Sequence, residues 1–286
     1  MIVLKSNKIS VIIPTFNRVA YIGRAINSVI NQTHRVKDII VIDNNSSDNT
    51  QEYIKENFPK VKVFAEASRG VSNARNLGIK ISKSDWVAFL DSDDEWLPKK
   101  IEEQIKLSYQ NTNYKLIHTN EIWYKDGKKI NKKNKHKKKG GHIFNDSLDM
   151  CKISPSSVLC KKKLFQEYGL FNSRFIVCED YELWLRICCK EEIGFVDKSL
   201  IKKYGGHEDQ LSFRYWGMDR YRVLAMENLL YRQELSLTQK KAVIQKIIEK
   251  SNIILKGAVN RNNIKVINKY RYKLKKWNKY YEGIRK

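Results

Sequence analysis

The chain has 286 residues, 42% of them hydrophobic and 11% aromatic, which supplies a large core and excludes a wholly disordered protein. Its 55 Lys and Arg outnumber 31 Asp and Glu, and the net charge of +24 favours anionic partners: nucleotides, nucleic acid or anionic lipid headgroups. No apolar run approaches the ~20 residues needed to cross a bilayer. The opening Met1-Ile2-Val3-Leu4-Lys5 lacks a signal-peptide pattern, so a cytoplasmic protein is expected, with attachment to the inner face of the membrane left open. Five cysteines (Cys151, Cys160, Cys178, Cys188 and Cys189) have neither metal-site nor disulfide-framework spacing and read as reduced structural thiols.

In chain order, Ile9–Pro14 is a compact apolar strand, followed by Thr15-Phe16-Asn17-Arg18 and a helical pattern from about Tyr21 to Asn31. The cycle repeats with a strand at Asp38–Ile42, a polar capping loop at Asp43–Asp48 and a helix at Thr50–Asn57. A third strand is expected at Val61–Ala65, a helix opened by Arg69-Gly70 runs through about Ile81, and Trp86–Leu90 is the fourth strand. Strands alternating with helices predict an α/β fold with a Rossmann-like, mainly parallel sheet and right-handed crossovers. Ligands bind such sheets at the strands' carboxyl ends, where Thr15–Asn17, Asp43–Ser46 and Asp91–Asp94 converge. Neither a glycine-rich dinucleotide fingerprint nor a phosphate-binding P-loop is present.

Asp91-Ser92-Asp93-Asp94 ends the fourth strand with three carboxylates in four residues. Such a cluster either turns the chain and caps a helix, or holds a hard divalent cation, Mg²⁺ or Mn²⁺, against a diphosphate. An amphipathic helix is expected at Lys99–Tyr109. Residues 125–139 carry nine lysines against Asp126 alone, the pattern of a solvated, mobile loop or of a surface drawn to phosphate. A turn into a short strand at Ser154–Cys160 and a helix at Lys163–Tyr168 follow. Cys178–Ile187 reads as a helix whose start carries Glu179-Asp180, either a plain cap or a functional carboxylate pair.

A strand at about Gly194–Lys202 leads into a loop at Tyr204–Ser212, in which His207 is a candidate metal ligand or phosphate contact. Helices follow from Met218, with a joint at Lys256–Asn263. In the strongly basic tail, Leu274, Trp277, Tyr280 and Tyr281 lie near one helical face that either packs on the domain or meets anionic lipid.

Taken together, Ser10–Arg18, Val41–Asp48, Arg69-Gly70 to Ala74-Arg75-Asn76, Asp91-Ser92-Asp93-Asp94 and Glu179-Asp180 resemble, in order, a family 2 glycosyltransferase of the GT-A fold. Residues 179–186 and 204–212 look like a bacterial subgroup of unnamed acceptor. The resemblance covers about residues 8–215. It implies an inverting enzyme that moves a sugar from a UDP or dTDP donor to a glycan or lipid-linked glycan in cell-surface polysaccharide or lipopolysaccharide synthesis, with no nucleic-acid partner. It also implies a nucleotide-sugar-binding half at 1–110, an acceptor-side half at 111–217 and a basic helical extension at 218–286.

Carried over by position, Pro14, Thr15, Asn17, Asp43 and Asn45 would hold the nucleoside, and Arg75, Asp91 and Ser92 would contact the donor. Asp93 and His207 would hold the metal, Mn²⁺ or Mg²⁺, with Asp94 in support, and Asp180 would be the general base. Asn44 stands where many members carry a second aspartate; an amide can still pair with a pyrimidine edge, which keeps UDP and dTDP open. The reading from another class is a basic protein that binds nucleic acid or anionic lipid on a non-catalytic nucleotide-binding fold.

Overall fold

The computed structural model describes residues 8–206 and 215–285. Its first half is β1 (Ile9–Thr15), α1 (Val19–Ile30), β2 (Asp38–Asp43), α2 (Thr50–Asn57), β3 (Lys62–Ala65), α3 (Val71–Ile81) and β4 (Trp86–Phe89). The four strands are parallel in the order β3-β2-β1-β4, as three successive strand–helix units require. The sheet continues with β5 (Glu95–Trp96), α4 (Lys100–Gln110), β6 (Leu116–Lys125), β7 (Lys128–Ile130), α5 (Phe144–Asp149), β8 (Leu159–Lys161), α6 (Leu164–Glu167), α7 (Glu179–Cys188) and β9 (Ile193–Gly205). Beyond β4 the order is β8-β6-β9-β5 with mixed direction, and β7 hangs on β6. Three helices close the chain: α8 (Met218–Arg232), α9 (Leu237–Asn260) and α10 (Ile264–Arg285).

Successive residues of a strand face opposite sides of the sheet, and here both sides are covered. Ile12, Ile40, Ile42, Val87 and Phe89 join one core with Ala74 and Ile79 of α3, Trp184 of α7 and Trp277 of α10. Val11, Ile13, Val41, Ala88 and Leu90 join the other with Ile22 and Ile26 of α1, Ile54 of α2 and Ile101 of α4. That double burial explains why β1 and β4 are unbroken apolar runs.

Four local features differ from the sequence expectation or decide between its alternatives. The lysine-rich stretch is not a mobile loop throughout, because Asp126 (φ 49°) and Gly127 (φ 73°) form a hairpin turn that pairs Trp123 with Ile130. Lys138 is then buried in an ion pair with Glu121 at 2.7 Å. β9 extends through Tyr204 and Gly205, and α9 continues to Asn260, so the joint shortens to residues 261–263. The tail face packs inward at Trp277, whose indole N–H donates to Glu227 at 2.9 Å, while Tyr280 stays 49% exposed.

The seat of α3 on β1 depends on Gly78, where a Cβ would lie 2.4 Å from Ile12 Cγ2. Gly78→Ala gains about 1 kcal/mol of helix propensity and meets an overpacking cost of about 1–3 kcal/mol. A net loss of up to about 2 kcal/mol in urea unfolding is expected, and a stabilised variant would contradict the close approach.

Candidate active site

Thr15 and Asp43 are register partners at the ends of β1 and β2, with Pro14 buried beside them. Asp43 Oδ2 accepts from the Ser46 backbone N–H at 3.0 Å and from Gln51 at 2.7 Å. Its Oδ1, like Thr15 Oγ1, is buried with no hydrogen-bond partner. Asn17, at φ 51°, ties the two loops together: its N–H donates to Ser46 Oγ at 2.9 Å and its side-chain oxygen accepts from the Ser47 N–H at 2.8 Å. Asn45 donates to the Ala67 carbonyl at 2.8 Å.

Asn44 corrects one expectation. Both of its amide hydrogens go to backbone carbonyls, Glu66 at 2.8 Å and Ser68 at 2.9 Å, and its oxygen accepts from the Gly70 N–H at 2.7 Å. With its donors spent on the loop before α3, it cannot offer a base the donor–acceptor edge of an amide. The residue that sequence reasoning passed over is Phe16, 38% exposed beside these loops with the Arg69 guanidinium 5.1 Å from its ring centre.

The three carboxylates at the end of β4 differ in their surroundings. Asp91 Oδ1 accepts from Arg75 Nη2 at 2.7 Å, and its backbone N–H donates to Ser156 Oγ at 3.1 Å. Asp94 accepts from Ser156 Oγ at 2.6 Å and pairs with Lys203 of β9 at 3.1 Å; the same ammonium lies 3.9 Å from Asp91. Burial opposes ionisation of Asp91, yet Arg75 and Lys203 hold its carboxyl below the usual range. Burial pushes Asp94 up to about 7, with Asp93 and Asp91 adding to the rise and Lys203 opposing it. Burial and the charge of Asp91 also raise Asp93, whose carboxylate takes no side-chain hydrogen bond or ion pair among the described residues. Ser92 is buried between them.

Arg75 and Lys203 pair with Asp91 and Asp94, Lys203 and Arg18 oppose the rise of Asp93 from farther off, and among the described residues Asp93 is the one of the three carboxylates without an ion pair. Among the described residues no three His, Cys, Asp or Glu side chains form a preassembled cage. Mg²⁺ in phosphoryl-bearing sites takes one or two carboxylates and completes its shell with water and substrate phosphates, and Asp93 fits that donor set. His207 lies outside the described residues.

The second acid pair opens α7. Its preceding residue Cys178, at φ 61°, turns the chain without a side-chain cap, Asp180 Oδ1 accepts from the first-turn Tyr181 N–H at 2.6 Å, and β5 rather than a helix follows Asp94, so the β4 cluster caps no helix. Glu179 accepts from Arg75 Nη1 at 2.7 Å. Burial pushes Glu179 up to about 7, the charge of Asp180 adds, and Arg75 opposes. Asp180 is half-buried and accepts from Cys151 Sγ at 3.4 Å. Arg75, buried on α3, therefore spends both terminal nitrogens joining the end of β4 to the start of α7.

Arg75→Met leaves two carboxylates facing each other without their cation, and a loss of about 3–5 kcal/mol in urea unfolding is expected. Because Glu179 holds its proton to about pH 7 when folded but to about 4.5 when unfolded, it lowers stability as pH rises through that interval. Glu179→Gln should flatten the fall in unfolding free energy between those two values; an unchanged slope would assign it elsewhere.

Comparison with known proteins agrees with this geometry. Residues 10–169 match glycosyl transferase family 2. An uncharacterized glycosyltransferase of Rickettsia conorii is 38% identical over 208 residues, covering 70% of this chain and 33% of that protein, so the chain spans about a third of such relatives. The Escherichia coli protein WfgD, a UDP-Glc:alpha-D-GlcNAc-diphosphoundecaprenol beta-1,3-glucosyltransferase, is 31% identical over 215 residues, covering 71% of this chain and 79% of its own length. Staphylococcus aureus TarS in complex with UDP-GlcNAc superposes with a TM-score of 0.69 at 18% identity, covering 85% of this chain and 72% of that one, and shares the fold. With its GT-A architecture, its strand-end acids and this sequence similarity, the chain belongs to glycosyl transferase family 2.

Proposed function

We propose that the chain transfers a sugar, with inversion, from a UDP or dTDP donor to a hydroxyl of a lipid-linked glycan in cell-surface polysaccharide or lipopolysaccharide synthesis. The observation that carries this reading is the Arg75 bridge, which ties Glu179, the neighbour of Asp180 at the start of α7, to Asp91 of the β4 cluster. The unpartnered Thr15 Oγ1 and Asp43 Oδ1 support a nucleoside at the ends of β1 and β2, since a buried polar group without a partner costs about 1–3 kcal/mol. A carboxylate oxygen there accepts the imide N–H of either uracil or thymine, and Phe16 offers a ring for the base to lie against. The WfgD relative, named for a diphosphoundecaprenol-linked acceptor, supports the lipid-linked substrate.

Asp180 takes the proton of the acceptor hydroxyl as its oxygen attacks the anomeric carbon. The bond from that carbon to the diphosphate oxygen breaks, and the nucleoside diphosphate leaves from the opposite face. A divalent cation on Asp93 supplies, when bound, neutralisation of the charge on the leaving diphosphate. Arg75 acts by holding Asp91 and Glu179 in place, and Lys203 offsets the cluster's charge. Family membership replaces the alternative of a non-catalytic binder.

We also place the chain at the cytoplasmic face of a membrane. No helix among the described residues is long and apolar enough to cross one. Tyr272 (72% exposed) and Tyr280, interspersed with exposed Lys275 and Lys279 on α10, suit a peripheral contact with anionic lipid. Co-sedimentation with anionic vesicles should fall in Lys275→Ala/Lys279→Ala, and unchanged binding would move the contact elsewhere.

Release of UDP or dTDP from a panel of nucleotide sugars tests the chemistry. Asp180→Asn should lower kcat of transfer by roughly 10²–10⁴-fold with little change in donor KM, and Asp93→Ala should abolish donor hydrolysis and transfer together. Full transfer activity in Asp180→Asn would remove the base from this scheme.

A further inference from the structure

Donor chemistry leaves the lysine-rich stretch and the segment after α5 unused, yet the two meet. A cavity of about 300 Å³ is lined by Asn134, Lys137, Lys138, Lys139, Asp146 and Lys152. It is a built wall. Lys138 is buried against Glu121 and lies 3.0 Å from Ser154 Oγ, Trp123 donates to the same Glu121 at 2.7 Å, and the His136 ring sits 4.8 Å from that of Trp123.

The charges do not cancel. Lys138 is committed to Glu121, and Lys139 to Asp146 at 2.8 Å. Lys152 donates to the Lys135 carbonyl at 2.6 Å, which leaves two of its three hydrogens free, and Lys137 has no carboxylate partner among the described residues. Four ammonium groups against two carboxylates leave two positive charges. Ammonium groups on separate stems bind phosphate as point charges, and a diphosphate diester carries two negative charges.

The chain also links the cavity to Asp180. Lys152 follows Cys151, whose thiol meets Asp180 at 3.4 Å. Two residues past Ser154, which contacts Lys138, the chain delivers Ser156 to Asp91 and Asp94. The segment 151–156 thus runs from the base, past the cavity, to the donor-side acids.

We propose that this cavity is an acceptor subsite that holds the diphosphate of the glycan's lipid carrier while the sugar hydroxyl faces Asp180. The assignment rests on the transferase reading of Asp180 given above. It makes a diphosphate-bearing acceptor, rather than a neutral oligosaccharide, the substrate class.

Calorimetric titration of the full chain with inorganic pyrophosphate in metal-free, low-salt buffer tests it, alongside sedimentation with phosphatidylcholine–phosphatidylglycerol vesicles. Lys137→Ala/Lys152→Ala should weaken pyrophosphate binding roughly tenfold and leave vesicle binding intact. Lys275→Ala/Lys279→Ala, which removes equal charge from α10, should change pyrophosphate affinity less than about twofold. Unchanged pyrophosphate affinity in the cavity variant, or an equal fall in both variants, would overturn the subsite. Loss of vesicle binding with pyrophosphate binding retained would make the cavity a lipid-headgroup contact and overturn it as well. Donor hydrolysis by the same wild-type preparation reports on the transferase reading separately, so either can fail alone.

Discussion

The Arg75 guanidinium reaches Asp91 with one terminal nitrogen and Glu179 with the other, each at 2.7 Å, from a position only 3% exposed. An uncompensated charge at such a depth costs several kcal/mol, so each of the three groups is stable there only because the others are. The consequence is geometric. β4 and α7 lie far apart in the sequence and belong to different halves of the fold, and this contact fixes the distance between the acids that end one and those that begin the other. Gly78 lets α3 approach β1 closely enough for the bridge to form, since a methyl group there would meet Ile12.

The same cluster explains how a chain of net charge +24 keeps an acidic cleft. Basic groups surround the acids without neutralising all of them: Arg75 and Lys203 serve Asp91 and Asp94, and Asp93 is left over. Cations close to a phosphate site favour approach of an anionic donor, while the remaining carboxylate favours a hard divalent ion. In the reading proposed above, Arg75, Lys203 and the open carboxylate of Asp93 together recognise a diphosphate that arrives with its metal.

The lysine-rich stretch shows how local turn chemistry can redirect a charge run. Mutual repulsion favours an extended, solvated chain. Asp126-Gly127 reverses it into a hairpin on β6, and Glu121 then draws Lys138 into the interior at 2.7 Å. What remains of the run becomes a wall with spare positive charge rather than a flexible tail.

Sequence alone determined the strand–helix alternation of the first half, the glycosyltransferase family and the residues at the strand ends. These are local signals: apolar runs such as Ile9–Pro14 and Trp86–Leu90 have the length of buried strands, and the polar residues that follow them stand at a sheet's carboxyl edge, where ligands bind. Tertiary structure decided which of those residues are free to act. Asn44 and Arg75 read as ligand contacts by position, yet one is spent on the Glu66 and Ser68 carbonyls and the other on two carboxylates. The contacts of Ser156, Lys203 and Cys151 with the acids were not legible because a lone Ser, Lys or Cys carries no pattern of its own. Each acquires a role only from partners tens of residues away, which pairing across the sheet and packing of α7 bring within hydrogen-bonding distance.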